Sequence, residues 1–99
     1  MLEKMKHLVR DMDEEIMGAH HYAKLAKKSR ESDPDLSRMY GTMAKQELSH
    51  AEMLMEQARR VCAVATAEDN KAGLDAIMEI QEDRTGPWMS KVKGLLDGV

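Results

Sequence analysis

Two long stretches free of strong helix breakers, separated by one short break, constrain the fold of this chain most. Residues 2–30 contain no proline and a single glycine, Gly18. The break is the segment ESDPD, in which Asp33 suits an N-cap and Pro34 the first position of a new helix. A second helix is predicted from Pro34 into the 60s. Two helices of about 30 residues, each about 45 Å long, then form an antiparallel hairpin because their connection is short.

The rest of the chain is also predicted to be helical, after a break in the segment AEDNKAG. Helical spacing places Leu74, Met78 and Gln81 on one face. Gly86-Pro87 either ends or kinks this helix, so one or two C-terminal helices remain open. The prediction is a single all-α domain over residues 1–99, with the hairpin over about 2–66 and the C-terminal helical segment over about 69–97.

The composition favours a small core that gains from burial in an oligomer. The 99 residues include ten Met and no Phe, and aromatic residues make up 3%. Met fills irregular space but specifies packing weakly, and a thin core gains from further buried surface. The net charge of −3, with both signs interspersed, gives no electrostatic footprint for nucleic acid.

Other features bear on the compartment. No apolar run approaches the roughly 20 residues that span a bilayer, and the charged first 20 residues do not resemble a signal peptide. Cys62 is the only cysteine, which excludes an intramolecular disulfide and fits a reducing compartment. We expect a cytoplasmic protein without nucleic-acid or membrane partners.

Glu47 interrupts an apolar line on the second helix. At 100° per residue, the positions within about 40° of its line are Leu36, Tyr40, Met43, Ala51, Leu54 and Ala58. A carboxylate among apolar side chains normally has a partner charge or a metal. His50 lies about 60° to one side of Glu47, and Glu-x-x-His lets one helix offer two ligands to one ion. The same spacing also occurs on solvated helix surfaces.

The first helix carries a similar acid, Glu15. It shares a line with Leu8, Ala19, Tyr22 and Ala26. Its neighbour Glu14 points about 100° away. Because Glu15 sits on the flank of the apolar arc and not at its centre, the case for it is weaker than that for Glu47.

Several other conspicuous side chains have a structural interpretation. We expect solvated surface positions for the histidines His7, His20 and His21 and for the acids Glu79, Glu82 and Asp83. The Met stripe of Met39, Met43, Met53 and Met55 is typical of core and interface. Cys62 is expected to be a small buried residue without thiolate reactivity. Trp88 is expected to anchor the C-terminal segment on the hairpin.

The segments EEIMGAHHY and QELSHAEML resemble the rubrerythrin and ferritin-like superfamily over about residues 8–60. Ferritin-like di-iron proteins use a Glu from each of two helices and a Glu-x-x-His from each of the other two. The resemblance implies that Glu15, Glu47 and His50 ligate metal. Iron is the expected metal, and zinc or another divalent ion is an alternative. Tyr22 would be a supporting hydrogen-bonding residue, and no side chain is assigned a catalytic role.

Two departures from the family pattern shape this expectation. The later part of the chain has no second Glu-x-x-His, so the missing ligands must come from a second copy. The resemblance thus implies a homodimer, or an assembly of dimers, that completes a four-helix bundle. Half-length encapsulated ferritins have this layout, which makes a protein compartment an alternative location. The chain also has no Cys-x-x-Cys pair, so it lacks the rubredoxin-like electron relay of full rubrerythrins.

The expected function is di-iron redox chemistry: oxidation of Fe²⁺ as a ferroxidase, or reduction of peroxide, at an intersubunit two-metal site. An alternative from another class is a structural or interaction module that keeps the helical fold without turnover, with or without a structural divalent metal. Metal content and aerobic Fe²⁺ oxidation separate the two.

Overall fold

Three α-helices account for most of the chain in the computed structural model, which describes all residues from 1 to 99. The helices are α1 (Leu2–Ser29), α2 (Pro34–Val64) and α3 (Lys71–Leu95), and a 3₁₀ turn (Ala67–Asp69) links α2 to α3. There is no β-strand, so the all-α prediction is confirmed. No helix combines the length and the apolar character that crossing a membrane requires.

The turn between α1 and α2 forms as the sequence predicts. The Asp33 carboxylate accepts a hydrogen bond of 3.1 Å from the Leu36 amide, and Pro34 opens the helix. The buried Ser37 hydroxyl donates a 2.6 Å hydrogen bond to the Ala26 carbonyl. This bond fixes the first turn of α2 against the last turns of α1 and sets up the antiparallel hairpin.

The C-terminal segment is one helix, which resolves the alternative left open at Gly86-Pro87. Pro87 lacks the amide that would continue the hydrogen-bond ladder. Thr85 and Val92 are nevertheless buried on either side of it, and this packing keeps both halves helical. The helix begins at Lys71, because Asn70 adopts a left-handed φ of 58° and accepts a hydrogen bond from the Gly73 amide.

α3 returns along one face of the hairpin, antiparallel to α2. Its first turn meets the end of α2, where Cys62 Sγ lies 3.5 Å from the Leu74 carbonyl oxygen. Its last turns meet the middle of α2, where Lys93 lies 3.8 Å from Glu52. We call the surface that α3 covers the closed face.

The side of the hairpin opposite α3 carries no helix. At 100° per residue, Asp13 and Glu52, which contact α3, lie about 140–160° around their helices from Glu15 and Glu47. We call this uncovered side the open face. Its residues, all half-buried, are Leu8, Glu15, Tyr22, Tyr40, Met43, Glu47 and Leu54.

The core divides into two clusters along a rod 56 Å long and 17 by 15 Å across. One cluster, at the end remote from the α1–α2 turn, contains Met5, Met12, Met55, Ala58, Val61, Cys62, Ala65, Leu74 and Met78. The other, nearer that turn, contains Ala19, Ala23, Ala26, Ala44, Leu48, Val92 and Leu96. A large part of the core is therefore Met and Ala, which agrees with the ten Met and the absence of Phe in the sequence.

A polar network ties α3 to α1 on the closed face. The Gln81 side chain is 1% exposed, and its amide donates a 2.9 Å hydrogen bond to Asp13. Its carbonyl oxygen accepts a 2.6 Å hydrogen bond from Arg84, whose guanidinium also pairs with Asp13. No buried side-chain nitrogen or oxygen of the protein lacks a hydrogen-bond partner.

Trp88 packs α3 against α1, as predicted, through its contact with His20, while 41% of its own surface stays exposed. The Trp88 ring meets the His20 ring edge-on, with 5.0 Å between centroids. His20 is half-buried, so its assignment to the solvated surface is wrong. Burial against α3 lowers the pKa of His20, and the charges of Lys91 and Lys24 lower it further. His7 and His21 are exposed, as predicted.

Most of the remaining structural predictions are confirmed. Cys62 is buried, and burial raises the pKa of its thiol, which suits an inert side chain. The acids Glu79, Glu82 and Asp83 are exposed. For the Met stripe, the predicted core position is confirmed at Met55, which is buried, and in part at Met43, which is half-buried. It is wrong for Met39 and Met53, which are exposed.

Candidate metal centre

Glu15, Glu47 and His50 come together on the open face. One ligand atom from each of the three side chains lies within 4.8 Å of the other two. His50 Nδ1 lies 3.3 Å from Glu15 Oε2. α1 therefore supplies one carboxylate, and one turn of α2 supplies the second carboxylate and the imidazole. All three residues singled out from the sequence meet at one point.

Small residues let the two helices carry these groups side by side. Ala19 and Ala51 are buried in the seam next to the cluster, each with no more than 1% of its surface exposed. Gly18 lies directly beside the Glu47 carboxylate. A Cβ atom at this position would stand 3.0 Å from Glu47 Oε2 and 3.4 Å from its Cδ. The carboxylate therefore occupies space that any other side chain would fill.

The sequence analysis did not predict that Gly18 leaves space for the Glu47 carboxylate. A signal was present, since Gly18 is the only glycine of α1 and lies one turn after Glu15. Glycine in a helix interior lowers stability relative to alanine. A lone glycine there therefore indicates that a neighbouring group needs the space. That group is a side chain from the other helix, which no pattern within α1 can reveal.

The electrostatics of the cluster favour a bound positive charge. The pKa of Glu47 is raised, first because its carboxyl group shares a hydrogen bond with Glu15, then because burial and the Glu15 charge disfavour a second anion. The nearby His50 acts in the opposite direction. A divalent ion between the carboxylates would replace the shared proton and remove their repulsion.

The chemistry of the donor set fits iron. Carboxylate oxygens and an imidazole nitrogen suit Fe²⁺, and they also suit Zn²⁺. Three protein donors leave coordination positions free for further ligands. The side chains of Glu15 and His50 are 28% and 55% exposed, so the cluster opens towards the open face.

Tyr22 packs near the cluster without bonding to it. Its ring stacks on Tyr40, with centroids 6.1 Å apart and 18° between the ring planes. Each tyrosine lies seven residues from a glutamate of the cluster, which is about 10.5 Å along the helix. Tyr22 makes no side-chain hydrogen bond to Glu15, Glu47 or His50 within this chain, so its hydrogen-bonding role stays a prediction.

The fold and the site together define a class: three-helix proteins in which two carboxylates and a histidine meet across a helical hairpin. The chain belongs to the rubrerythrin family, whose model, described as Rubrerythrin, matches residues 6–81. This places it in the ferritin-like superfamily, and the family typically binds iron. At the significance required, neither a curated protein nor a solved structure matches the chain. The matched range contains all three candidate ligands and extends into α3.

Proposed function

We propose that two copies of this chain form a two-fold dimer whose shared metal centre binds two iron ions and oxidises Fe²⁺. The observation that carries the proposal is the meeting of Glu15, Glu47 and His50 on a face that no helix covers. A di-iron centre of the ferritin-like kind takes about four carboxylates and two histidines. One chain offers two and one, so a two-fold axis beside the cluster supplies the full set.

The position of the ligands along the rod supports this symmetry. Glu15 is the 14th of the 28 residues of α1. Glu47 and His50 are the 14th and 17th of the 31 residues of α2. A two-fold axis perpendicular to the rod at this level reverses the partner and still overlaps the two hairpins along their whole length. If the ligands lay near one end of the rod, a two-fold axis at that level would leave most of the two hairpins without contact.

The distribution of charge also favours reversed partners. The half of the rod towards the α1–α2 turn (residues 16–48 and 85–99) has eight Lys and Arg against five Asp and Glu. The other half (1–15 and 49–84) has seven against thirteen. In an antiparallel pair the basic half of each chain faces the acidic half of its partner, and opposite charges attract across the interface.

The open face offers apolar surface for such an interface. Leu8, Tyr22, Tyr40, Met43 and Leu54 are half-buried there, although they lie at positions that would be core in a four-helix bundle. A second hairpin on this face would bury them and enclose the metal centre. α3, on the closed face, would remain on the outside of the bundle.

In the dimer, the residues of each chain would bind and orient the metal. Glu15 and Glu47 would supply carboxylate oxygens, and His50 an imidazole nitrogen. When bound, two ferrous ions supply one electron each, which together reduce dioxygen to hydrogen peroxide, or hydrogen peroxide to two water molecules, with uptake of two protons. The half-buried carboxylates would hold both ions close together and limit the access of water.

The test is metal loading followed by turnover. Protein purified without chelator should contain iron or another divalent metal, and the apoprotein should take up two Fe²⁺ per dimer. Addition of excess Fe²⁺ with dioxygen or with hydrogen peroxide should then produce Fe³⁺, detected by its absorbance, faster than in buffer. Comparison of the two oxidants shows which one the centre reduces faster.

The same experiment separates the alternative of a structural metal. Three ligand atoms from one chain already lie within 4.8 Å, which is enough to hold a single ion. One tightly bound ion per chain, with no acceleration of Fe²⁺ oxidation by either oxidant, would replace the redox proposal with a structural site. Absence of any metal uptake would exclude both.

A further inference from the structure

Gly18 is the one residue beside the candidate centre that contributes no side chain. It lies in the interior of α1 and is half-buried on the side of the Glu47 carboxylate. Alanine would stabilise this helix more than glycine does. The sequence nevertheless has glycine here, where the backbone has an ordinary helical conformation that does not require it. Local backbone geometry therefore does not explain the residue.

We infer that Gly18 is a positioning residue, which sets the place of the Glu47 carboxylate by leaving its own side-chain volume empty. The inference rests on the proposed metal centre. A Cβ atom would stand 3.0 Å from Oε2, closer than ordinary van der Waals contact. The backbone of α1 is fixed by its packing on α2, so the flexible end of Glu47 would have to move. The carboxylate would then shift by a few tenths of an ångström from the position in which it meets Glu15 and His50, which disturbs the geometry that the three ligands offer to a metal.

Other glycines of the chain serve as matched controls. A Cβ atom at Gly94 in α3 would meet nothing within 4 Å, and Gly94 lies on an exposed part of that helix. Gly94→Ala therefore changes helix propensity without touching the centre. Gly41 is unsuitable as a control, because a Cβ atom there would meet Val99 at 2.8 Å.

The inference predicts opposite effects of one methyl group on folding and on metal binding. Gly18→Ala should leave the melting temperature of the metal-free protein unchanged or raise it, as Gly94→Ala should. Only Gly18→Ala should weaken metal binding, by roughly tenfold or more, as the loss of ligand-orienting contacts typically does. A general structural defect would instead lower the melting temperature and the affinity together.

The experiment is a titration of the metal-free wild type and both alanine variants with Zn²⁺, a redox-inert probe, against a competing chelating dye. Circular dichroism gives the melting temperatures, and sedimentation equilibrium gives the dissociation constant of the metal-free dimer. Weaker Zn²⁺ binding in Gly18→Ala alone, with an unchanged metal-free dimer, is the expected result.

Two results would overturn the inference while the proposed function stands. Equal Zn²⁺ affinity in the wild type and Gly18→Ala would show that Glu47 needs no space at this position. A matching loss of metal affinity and metal-free dimerisation would make Gly18 a contact with the partner chain and not a positioning residue. Failure of the wild type itself to bind Zn²⁺ or Fe²⁺ would overturn the metal centre and this inference together.

Discussion

On the closed face, the carboxylate of Asp13 is held by Gln81 and Arg84 of α3, whereas on the open face the carboxylates of Glu15 and Glu47 have only each other and His50. Asp13 and Glu15 stand two residues apart on the same helix and point to opposite sides. One acid is satisfied by a helix of its own chain. Glu15 instead lies beside Glu47, whose pKa it raises. Neither carboxylate is paired with a lysine or an arginine.

The comparison indicates that the polar contacts that hold α3 and the candidate metal ligands lie on different sides of the hairpin. The closed face is complete within one chain, since Asp13, Gln81 and Arg84 satisfy one another there. The open face keeps apolar side chains half-exposed around a group of acids, an arrangement that a metal and a second chain would complete. Substitutions on the two faces should therefore affect different measurements.

The largest expected effect is on the open face. Glu47→Ala should abolish metal loading, with an affinity loss of roughly 100-fold or more, because outer-sphere partners alone contribute 10- to 100-fold. Glu14→Ala is the matched control, since Glu14 is exposed and points away from the cluster. Iron stoichiometry after anaerobic loading and desalting checks both variants. Equal iron stoichiometry in the wild type and Glu47→Ala would contradict the assignment of Glu47 as a metal ligand.

Removal of metal should loosen the proposed dimer. Four carboxylates at one interface repel each other without a cation, so the metal-free dimer should dissociate more readily and melt at a lower temperature. At a free metal concentration of 100 Kd, binding adds about 2.7 kcal/mol of stability. Sedimentation equilibrium and thermal melting, each with and without Zn²⁺, measure the effect. A compact monomer that stays stable at micromolar concentration with metal bound would contradict the shared site.

The third expected effect belongs to the closed face. Gln81→Ala should lower the free energy of unfolding by about 1–3 kcal/mol, because Asp13 and Arg84 lose a buried hydrogen-bonding partner. Metal affinity should stay unchanged, since α3 does not reach the open face. Urea denaturation and Zn²⁺ titration test the two halves of this prediction. Glu79→Ala, at an exposed position of the same helix, is the control for helix propensity.

The sequence predicts the elements of this fold better than it predicts how α3 packs. Local signals were sufficient for the hairpin, because Asp33 and Pro34 act within one turn of each other. They were insufficient at Pro87, where burial of Thr85 and Val92 against the hairpin keeps α3 continuous. The low helix propensity of proline reflects the backbone hydrogen bond that Pro87 cannot make. It does not include the tertiary packing that outweighs this loss.

The candidate site follows the same division. Glu47 and His50 could be found because both lie on one helix, where angular position follows from spacing alone. Glu15 gave a weaker signal of the same kind, because it sits on the flank of its apolar arc, and the resemblance strengthened it. Gly18 was missed because its neighbour comes from the other helix. The sequence also misplaced His20, since the Trp88 that covers it lies 68 residues further along the chain. Contacts between distant segments leave no periodic signal.

The smallest expected effect uses His20 as a reporter of the closed face. Burial, Lys91 and Lys24 lower its pKa below the ordinary value for histidine of about 6.5. The unfolded chain therefore takes up this proton at a higher pH than the folded chain. Well above pH 6.5 both states are neutral at His20, and the residue adds no pH dependence.

As the pH falls through about 6.5 towards the folded pKa, the unfolded state is protonated first, and stability is lost. The difference in unfolding free energy between the wild type and His20→Gln should thus change in this range and level off below the folded pKa. Urea denaturation of metal-free protein between pH 7.5 and pH 5.5 measures it. His21→Gln, at an exposed neighbouring position, is the control. Parallel pH profiles for the wild type and His20→Gln would show that His20 is as well solvated in the folded chain as in the unfolded one, and that Trp88 does not close this part of the face.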